Sequence, residues 1–174
     1  NRTNTNNLTD AQRNTYVGAQ TGSISRVGSD NVGLGAYANF SNNAYSRCIF
    51  IGSGGSGYEG SGWFDGYGMA RANDVIVMGY QARNAGQYGI AIGNESYVYN
   101  ATGAIGIGYA ANLDANSDYS VGLGFQVDLN GARSSVGIGN QTVINADSAV
   151  TLGANTVANS KFSVAIGANA VADS

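Results

Sequence analysis

The stretch Ser163-Val164-Ala165-Ile166-Gly167-Ala168-Asn169-Ala170-Val171-Ala172 decides the fold, because the chain repeats it. Before it come Ala149-Val150-Thr151-Leu152-Gly153, Ser135-Val136-Gly137-Ile138-Gly139 and Ser120-Val121-Gly122-Leu123-Gly124. Earlier copies are Ala104-Ile105-Gly106-Ile107-Gly108, Gly89-Ile90-Ala91-Ile92-Gly93, Val75-Ile76-Val77-Met78-Gly79, Cys48-Ile49-Phe50-Ile51-Gly52 and Asn31-Val32-Gly33-Leu34-Gly35. From Gly79 onward the terminal glycines are spaced 14, 15, 16, 15, 14 and 14 residues apart. Upstream, Gly18 to Gly35 and Gly35 to Gly52 are 17 each, and Gly52 to Gly79 is 27, so one repeat carries an insertion.

A period near 14 is too short for a repeat built from paired helices. It fits two short strands and two turns per coil, stacked as a solenoid with strands about 4.8 Å apart. Within each pentapeptide the residues alternate, and period-two alternation marks a strand. The apolar pair, Val164 and Ile166 in the last copy, is expected to point into the coil and Ser163 and Ala165 away from it. A second alternating piece follows each glycine. Ala111 and Leu113, Val127 and Leu129, Thr142 and Ile144, Thr156 and Ala158, and Ala170 and Ala172 suit the inside of a narrow coil. Between them lie Gln81 and Arg83, Glu95 and Tyr97, Gln126 and Asp128, and Gln141 and Val143, an outward and mostly polar set. The recurring glycine marks a bend where a side chain would clash. Asn100, Asn116, Asn130, Asn145 and Asn159 mark turns, since Asn tolerates the left-handed conformation.

The residue between the two apolar positions is small: Gly33, Ala91, Gly106, Gly122, Gly137, Thr151 and Ala165. A solvated position would accept Lys, Glu or Gln. A column of Gly and Ala on the face opposite Val and Ile therefore predicts close approach by another backbone. Gly33, Ala91, Gly106, Gly122, Gly137 and Ala165 are accordingly candidate contacts between chains. The alternative is that small residues relieve crowding within the coil.

The pentapeptide followed by an Ala-Asn-Ala-x-Ala segment, serially repeated near 14 residues, resembles the YadA-like head of trimeric autotransporter adhesins. The likeness covers residues 31–174; residues 1–30 form an irregular segment that reads as a degraded first coil. The copies at period 17 depart from the pattern, as does the absence of the family's neck motif. The resemblance implies an all-β, left-handed parallel β-roll assembled as a homotrimer on the outer surface of a Gram-negative bacterium. It implies attachment to collagen, fibronectin or laminin of the host matrix, or to a host cell receptor, and autoagglutination. It also implies a signal peptide, stalk and membrane anchor outside this sequence, which begins and ends in Asn- and Ala-rich text and reads as a piece of a longer protein. A structural spacer in a surface fibre and a phage tail-fibre segment are the competing readings.

The remaining signals are negative or local. Charged residues make up 11% of the 174 residues, the net charge is −3, and no basic patch suggests nucleic acid. No apolar run reaches the ~18 residues of a membrane helix, so no direct membrane insertion is expected. There is no histidine, and Cys48 is the lone cysteine, so Cys-His and Ser-His catalysis and the usual zinc sites are missing. No enzyme activity, cofactor or metal is expected. The insertion, residues 53–73, is Gly-rich and carries Tyr58, Trp63, Phe64 and Tyr67. Aromatics on a projecting loop can anchor a partner; equally, they can fold back over an apolar flank. With Gln81, Arg83 and Tyr97 of the outward ladder, these four are the candidate ligand-binding residues. Tyr80, Tyr109 and Phe125, each next to the recurring glycine, are placed to stack between coils.

Overall fold

The computed structural model describes residues 13–19, 21, 28–36, 38–40, 45–53, 69–70 and 72–173. Among these the chain is an all-β solenoid of parallel strands in two sheets, one of ten strands and one of nine. The first sheet runs through Thr15–Val17, Val32–Leu34, Ile49–Ile51, Ile76–Met78, Ile90–Ile92, Ile105–Ile107, Val121–Phe125, Val136–Asn140, Val150–Ala154 and Val164–Ile166. The second runs through Asn39–Phe40, Met69–Ala70, Arg83–Asn84, Tyr97–Val98, Asn112–Leu113, Asp128–Leu129, Val143–Ile144, Val157–Ala158 and Val171–Ala172.

Register follows the repeat. Gly122 pairs with Gly106 on one side and Gly137 on the other, and across the 27-residue spacing Phe50 pairs with Val77. Thr15–Val17 joins as the first strand of its sheet, pairing with Val32–Leu34. Backbone bonds run from coil to coil: Val121 N–H donates to Ser135 O at 2.9 Å, and Asn112 N–H to Val127 O at 2.8 Å. Every coil therefore depends on its neighbours for its ladder bonds.

The recurring glycine is required for two reasons. Gly139 has φ 143°, and a Cβ placed on it would lie 1.7 Å from the carbonyl oxygen of Gly153 in the next coil. Successive coils touch backbone to backbone at this corner, which leaves no room for a side chain.

The core corrects the phase of the first strand. Alternation is as expected, but the inward residue is the middle one. Ala91 is fully buried and Ala165 nearly so, while Gly33, Gly106, Gly122 and Gly137 are buried between half-buried neighbours. These six residues face their own coil, not another chain. The reason is volume. A Cβ on Gly122 would meet Leu113 Cδ1 at 3.0 Å and Val127 Cγ1 at 3.2 Å, and one on Gly137 would meet Leu129 Cδ1 at 3.2 Å. Where the second sheet sends in Leu113, Leu129 or Ile144, the first sheet offers glycine or threonine. In the coils where the first sheet sends in Phe50 and Val77, both fully buried, the nearby core partners are Ala38 and Ala82. Ser163 lies on this inward side too, as do Ser120 and Ser135. Ser135 Oγ donates to Ala146 O and accepts from Ala149 N–H, both at 3.0 Å, which ties two successive turns together.

The asparagines divide. Asn100 and Asn116 have φ of 46° and 71°, as expected. Asn130, Asn145 and Asn159 are not left-handed. Instead their amides form a ladder: Asn130 Nδ2 donates to Asn145 Oδ1 at 2.9 Å, Asn145 to Asn159 at 2.7 Å, and Asn159 to Asp173 at 2.6 Å.

Candidate interaction surfaces

Three surfaces remain once the core is assigned. The first is the outer face of the ten-stranded sheet. In each strand the two residues flanking the inward middle one turn outward, and these are Val, Ile, Leu or Met in every case except Thr15. Most are half-buried by their neighbours above and below; Leu152 is 46% exposed, Val164 59% and Ile166 63%. Ten strands at about 4.8 Å and three residues at about 3.3 Å make a stripe of roughly 48 by 10 Å. A contiguous apolar patch of that order is as large as the largest on a typical monomer, about 300–600 Å², and such patches are often functional.

The second surface is the outer face of the nine-stranded sheet. Here Gln81, Arg83 and Tyr97, three of the candidate binding residues, come together with Glu95 around a shallow depression of about 530 Å³. The Arg83 guanidinium carbon lies 5.5 Å from the centre of the Tyr97 ring, within cation–π range. Tyr97 and Tyr99 are 5.6 Å apart, ring centre to ring centre. A second depression of about 360 Å³ continues along the face, lined by Ala110, Asn112, Gln126, Asp128, Gln141 and Val143. Its polar groups are held in place: Asn112 Nδ2 donates to Asp128 Oδ1 at 2.9 Å and Gln141 Nε2 to Gln126 Oε1 at 3.2 Å. Beside this face Tyr109 and Phe125 stack at 5.2 Å, as their shared position next to the glycine predicts. Tyr58, Trp63, Phe64 and Tyr67 lie outside the described residues.

The third surface is the turn that enters the first sheet. Successive residues here are held left-handed, among them Arg13, Asp30, Arg47, Asp74, Tyr88 and Tyr119. The first four alternate in sign and pair: Arg13 Nη2 donates to Asp30 Oδ2, and Arg47 Nη2 to Asp74 Oδ2, each at 2.8 Å. One position earlier, Arg133 bonds Asp118 at 3.1 Å and Lys161 bonds Asp147 at 3.0 Å. The facing cations hold the carboxyls of Asp30, Asp74 and Asp147 below the usual carboxylate range. The sequence reading missed these ladders. The signal was present in the equal offsets of Asp118, Arg133, Asp147 and Lys161 from their glycines.

Cys48 is fully buried, and burial pushes its thiol up, away from the reactive thiolate. Its Sγ lies 3.1 Å from Ala72 O and 3.3 Å from Ser46 O, as fits a structural thiol. Among the described residues no three His, Cys, Asp or Glu side chains gather as a metal would need. No protein-family model matches the sequence, and no curated protein resembles it significantly.

Proposed function

We propose that the chain is a head segment of a bacterial surface adhesin, a left-handed β-roll that works as a homotrimer and binds rather than catalyses. The observation that carries the reading is the aliphatic outer face of the ten-stranded sheet. A long stripe with no charge on it needs a cover of equal length and equal regularity. A second and third copy of the same roll supply both, in register, because each coil repeats at the same rise. Closing three copies about an axis buries each stripe against two neighbours and leaves no open end laterally. The polar faces of the second sheets then point outward, three times over, so a weak contact to an array of matrix proteins or receptors gains by avidity. The likeness of the repeats to YadA-like heads supports the same arrangement, and with it a place on the exposed surface of a Gram-negative outer membrane.

Solution mass tests it. The wild-type chain is expected at three times 17.7 kDa. Replacing two stripe residues by lysine, Ile107→Lys with Leu123→Lys, is expected to give monomers, since each buried aliphatic contributes about 1.5–3 kcal/mol and a buried unpaired ammonium costs more. A wild-type monomer overturns the assembly. A trimer that fails to bind immobilised collagen, fibronectin, laminin and host cells removes the adhesive role and leaves a spacer.

A further inference from the structure

The outward columns of the nine-stranded sheet have a chemistry of their own. Two residues after each glycine stand Gln81, Glu95, Gln126, Gln141, Asn155 and Asn169, with Ala110 interrupting. Six residues after it stand Tyr99, Asp114, Asn130, Asn145, Asn159 and Asp173. Between these margins run Arg83, Tyr97, Asn112 and Asp128, then Val143, Val157 and Val171. Both margins are amide ladders in the C-terminal coils, with Asn155 Nδ2 donating to Asn169 Oδ1 at 3.3 Å alongside the Asn130–Asn145–Asn159 series. The floor between them runs from Arg83 and Tyr97 through the polar Asn112 and Asp128 to three valines.

We propose that this trough binds a neutral, extended oligosaccharide laid along the solenoid axis. Four features point to that ligand class. Each carboxamide has two donors and two acceptor sites, and a ladder bond uses only part of them, so each Gln or Asn rung still presents a donor and an acceptor to ligand hydroxyls. The rungs recur at about 4.8 Å, close to the advance per residue of an extended chain of equatorially linked pyranoses. The floor of Tyr97 and the valines offers flat apolar surface for the C–H face of a sugar ring. Arg83 is the one cation on these columns, against Glu95, Asp114, Asp128 and Asp173, so the trough repels sulfated or carboxylated glycans. The amides are already ordered by their mutual bonds, which lowers the entropy lost on binding.

The inference deepens the adhesin reading by naming the ligand class of its outward face, and the two fail separately. The full chain is titrated, by calorimetry and by ligand-observed NMR, with cellohexaose, chitohexaose and maltohexaose. A heparin hexasaccharide and a collagen-like triple-helical peptide are titrated alongside. Saturable binding of cellohexaose or chitohexaose, the extended and equatorially linked probes, is expected, about tenfold weaker for Tyr97→Ala, whereas binding of the axially linked maltohexaose alone overturns the proposal. It is expected to weaken severalfold for the exposed Gln141→Ala, with an unchanged melting temperature. Binding of the heparin fragment or the peptide alone, or of no probe, overturns the proposal. So does neutral-sugar binding that survives both substitutions. A trimer that binds matrix protein but no sugar keeps the adhesin reading and sinks this one. A monomer that binds sugar does the reverse.

Discussion

Along the outer face of the first sheet the chain places Ile, Val, Leu and Met on rung after rung, while along the outer face of the second it places mostly Gln, Asn, Asp and Tyr, with Val143, Val157 and Val171 in the last coils. Both faces are made of parallel strands with the same rise and the same pleat, and both stand over the same narrow core. Backbone geometry therefore cannot account for the contrast. What differs is the affinity of each face for water: a polar face is at ease in it, and an aliphatic one is not. In a coil too narrow for two layers of large side chains, each level takes a large residue such as Leu113 or Leu129 from one sheet and a small one from the other, and the remaining aliphatics of the first sheet stand outside.

The corner that separates the two faces offers the strongest way to break both. Gly139→Ala would force a Cβ to 1.7 Å from Gly153 O in a backbone at φ 143°, a conformation glycine alone occupies readily. We expect a loss of about 4 kcal/mol or more, from roughly 1–3 kcal/mol of backbone strain and the displacement of a neighbouring coil on top of it. Thermal melting by circular dichroism should show a collapse of the transition. Gly131→Ala is the matched control. Gly131 is also left-handed, at φ 62°, but the nearest atom to its added Cβ is 3.6 Å away, so the substitution should cost only the conformational preference, about 1–2 kcal/mol. Equal losses at the two positions would mean that strain, not the coil-to-coil contact, sets the requirement.

The repeat, its period, the two strands per coil and the polar outer ladder were all legible in the sequence, because strict spacing survives any error about orientation. The phase of the first strand was not. Period-two alternation says which residues share a face and leaves open which face is inside. Hydrophobicity settles that choice only when the other face meets water. The column itself held the needed signal: Phe50 and Val77 occupy the same register as Gly33 and Gly106, and a phenylalanine has no place where a second backbone is to approach. Turn chemistry was legible only in part, since Asn130 and Asn145 serve as rungs. The left-handed positions instead fall on Arg47, Tyr88, Tyr119 and Gln126, whose residue types carry no such preference. Stacking fixes those angles, and residue type follows other needs.

The core between the faces gives the second test. Leu129 is fully buried and faces the Gly137 column, so Leu129→Ala should cost about 2–5 kcal/mol through lost burial and a cavity. If volume is what fixes the glycine column, Gly137→Ala should cost less in the Leu129→Ala background than in wild type. There its Cβ no longer meets Leu129 Cδ1 at 3.2 Å and instead fills about one methyl's worth of space, recovering about 1 kcal/mol. A double-mutant cycle in urea reads the coupling. Additive effects would show that the small residues answer to something other than their own coil.

The smallest effect is expected at the margin where the first sheet begins, and it sharpens the contrast by asking whether charge contributes there at all. Asp74 is gripped by Arg47, whose guanidinium bonds both carboxyl oxygens and is the largest cause of the lowered carboxyl pKa; Gln87 adds a further hydrogen bond. A carboxyl whose folded pKa lies below its unfolded value of about 3.9 contributes stability that is fully present above that value and is lost as pH falls through the folded one. Asp74→Asn removes the charge and keeps a residue that tolerates the left-handed φ of 60°, so the backbone term cancels. The variant should melt slightly below wild type at pH 7. That gap should narrow at higher salt and close well below pH 4, where both proteins carry a neutral side chain. Asp147, lowered chiefly by Lys161, should behave in the same sense. A gap that persists unchanged at pH 2 would mean that Asp74 acts through its hydrogen bonds and shape. The alternating Arg and Asp rungs would then set register without any help from charge.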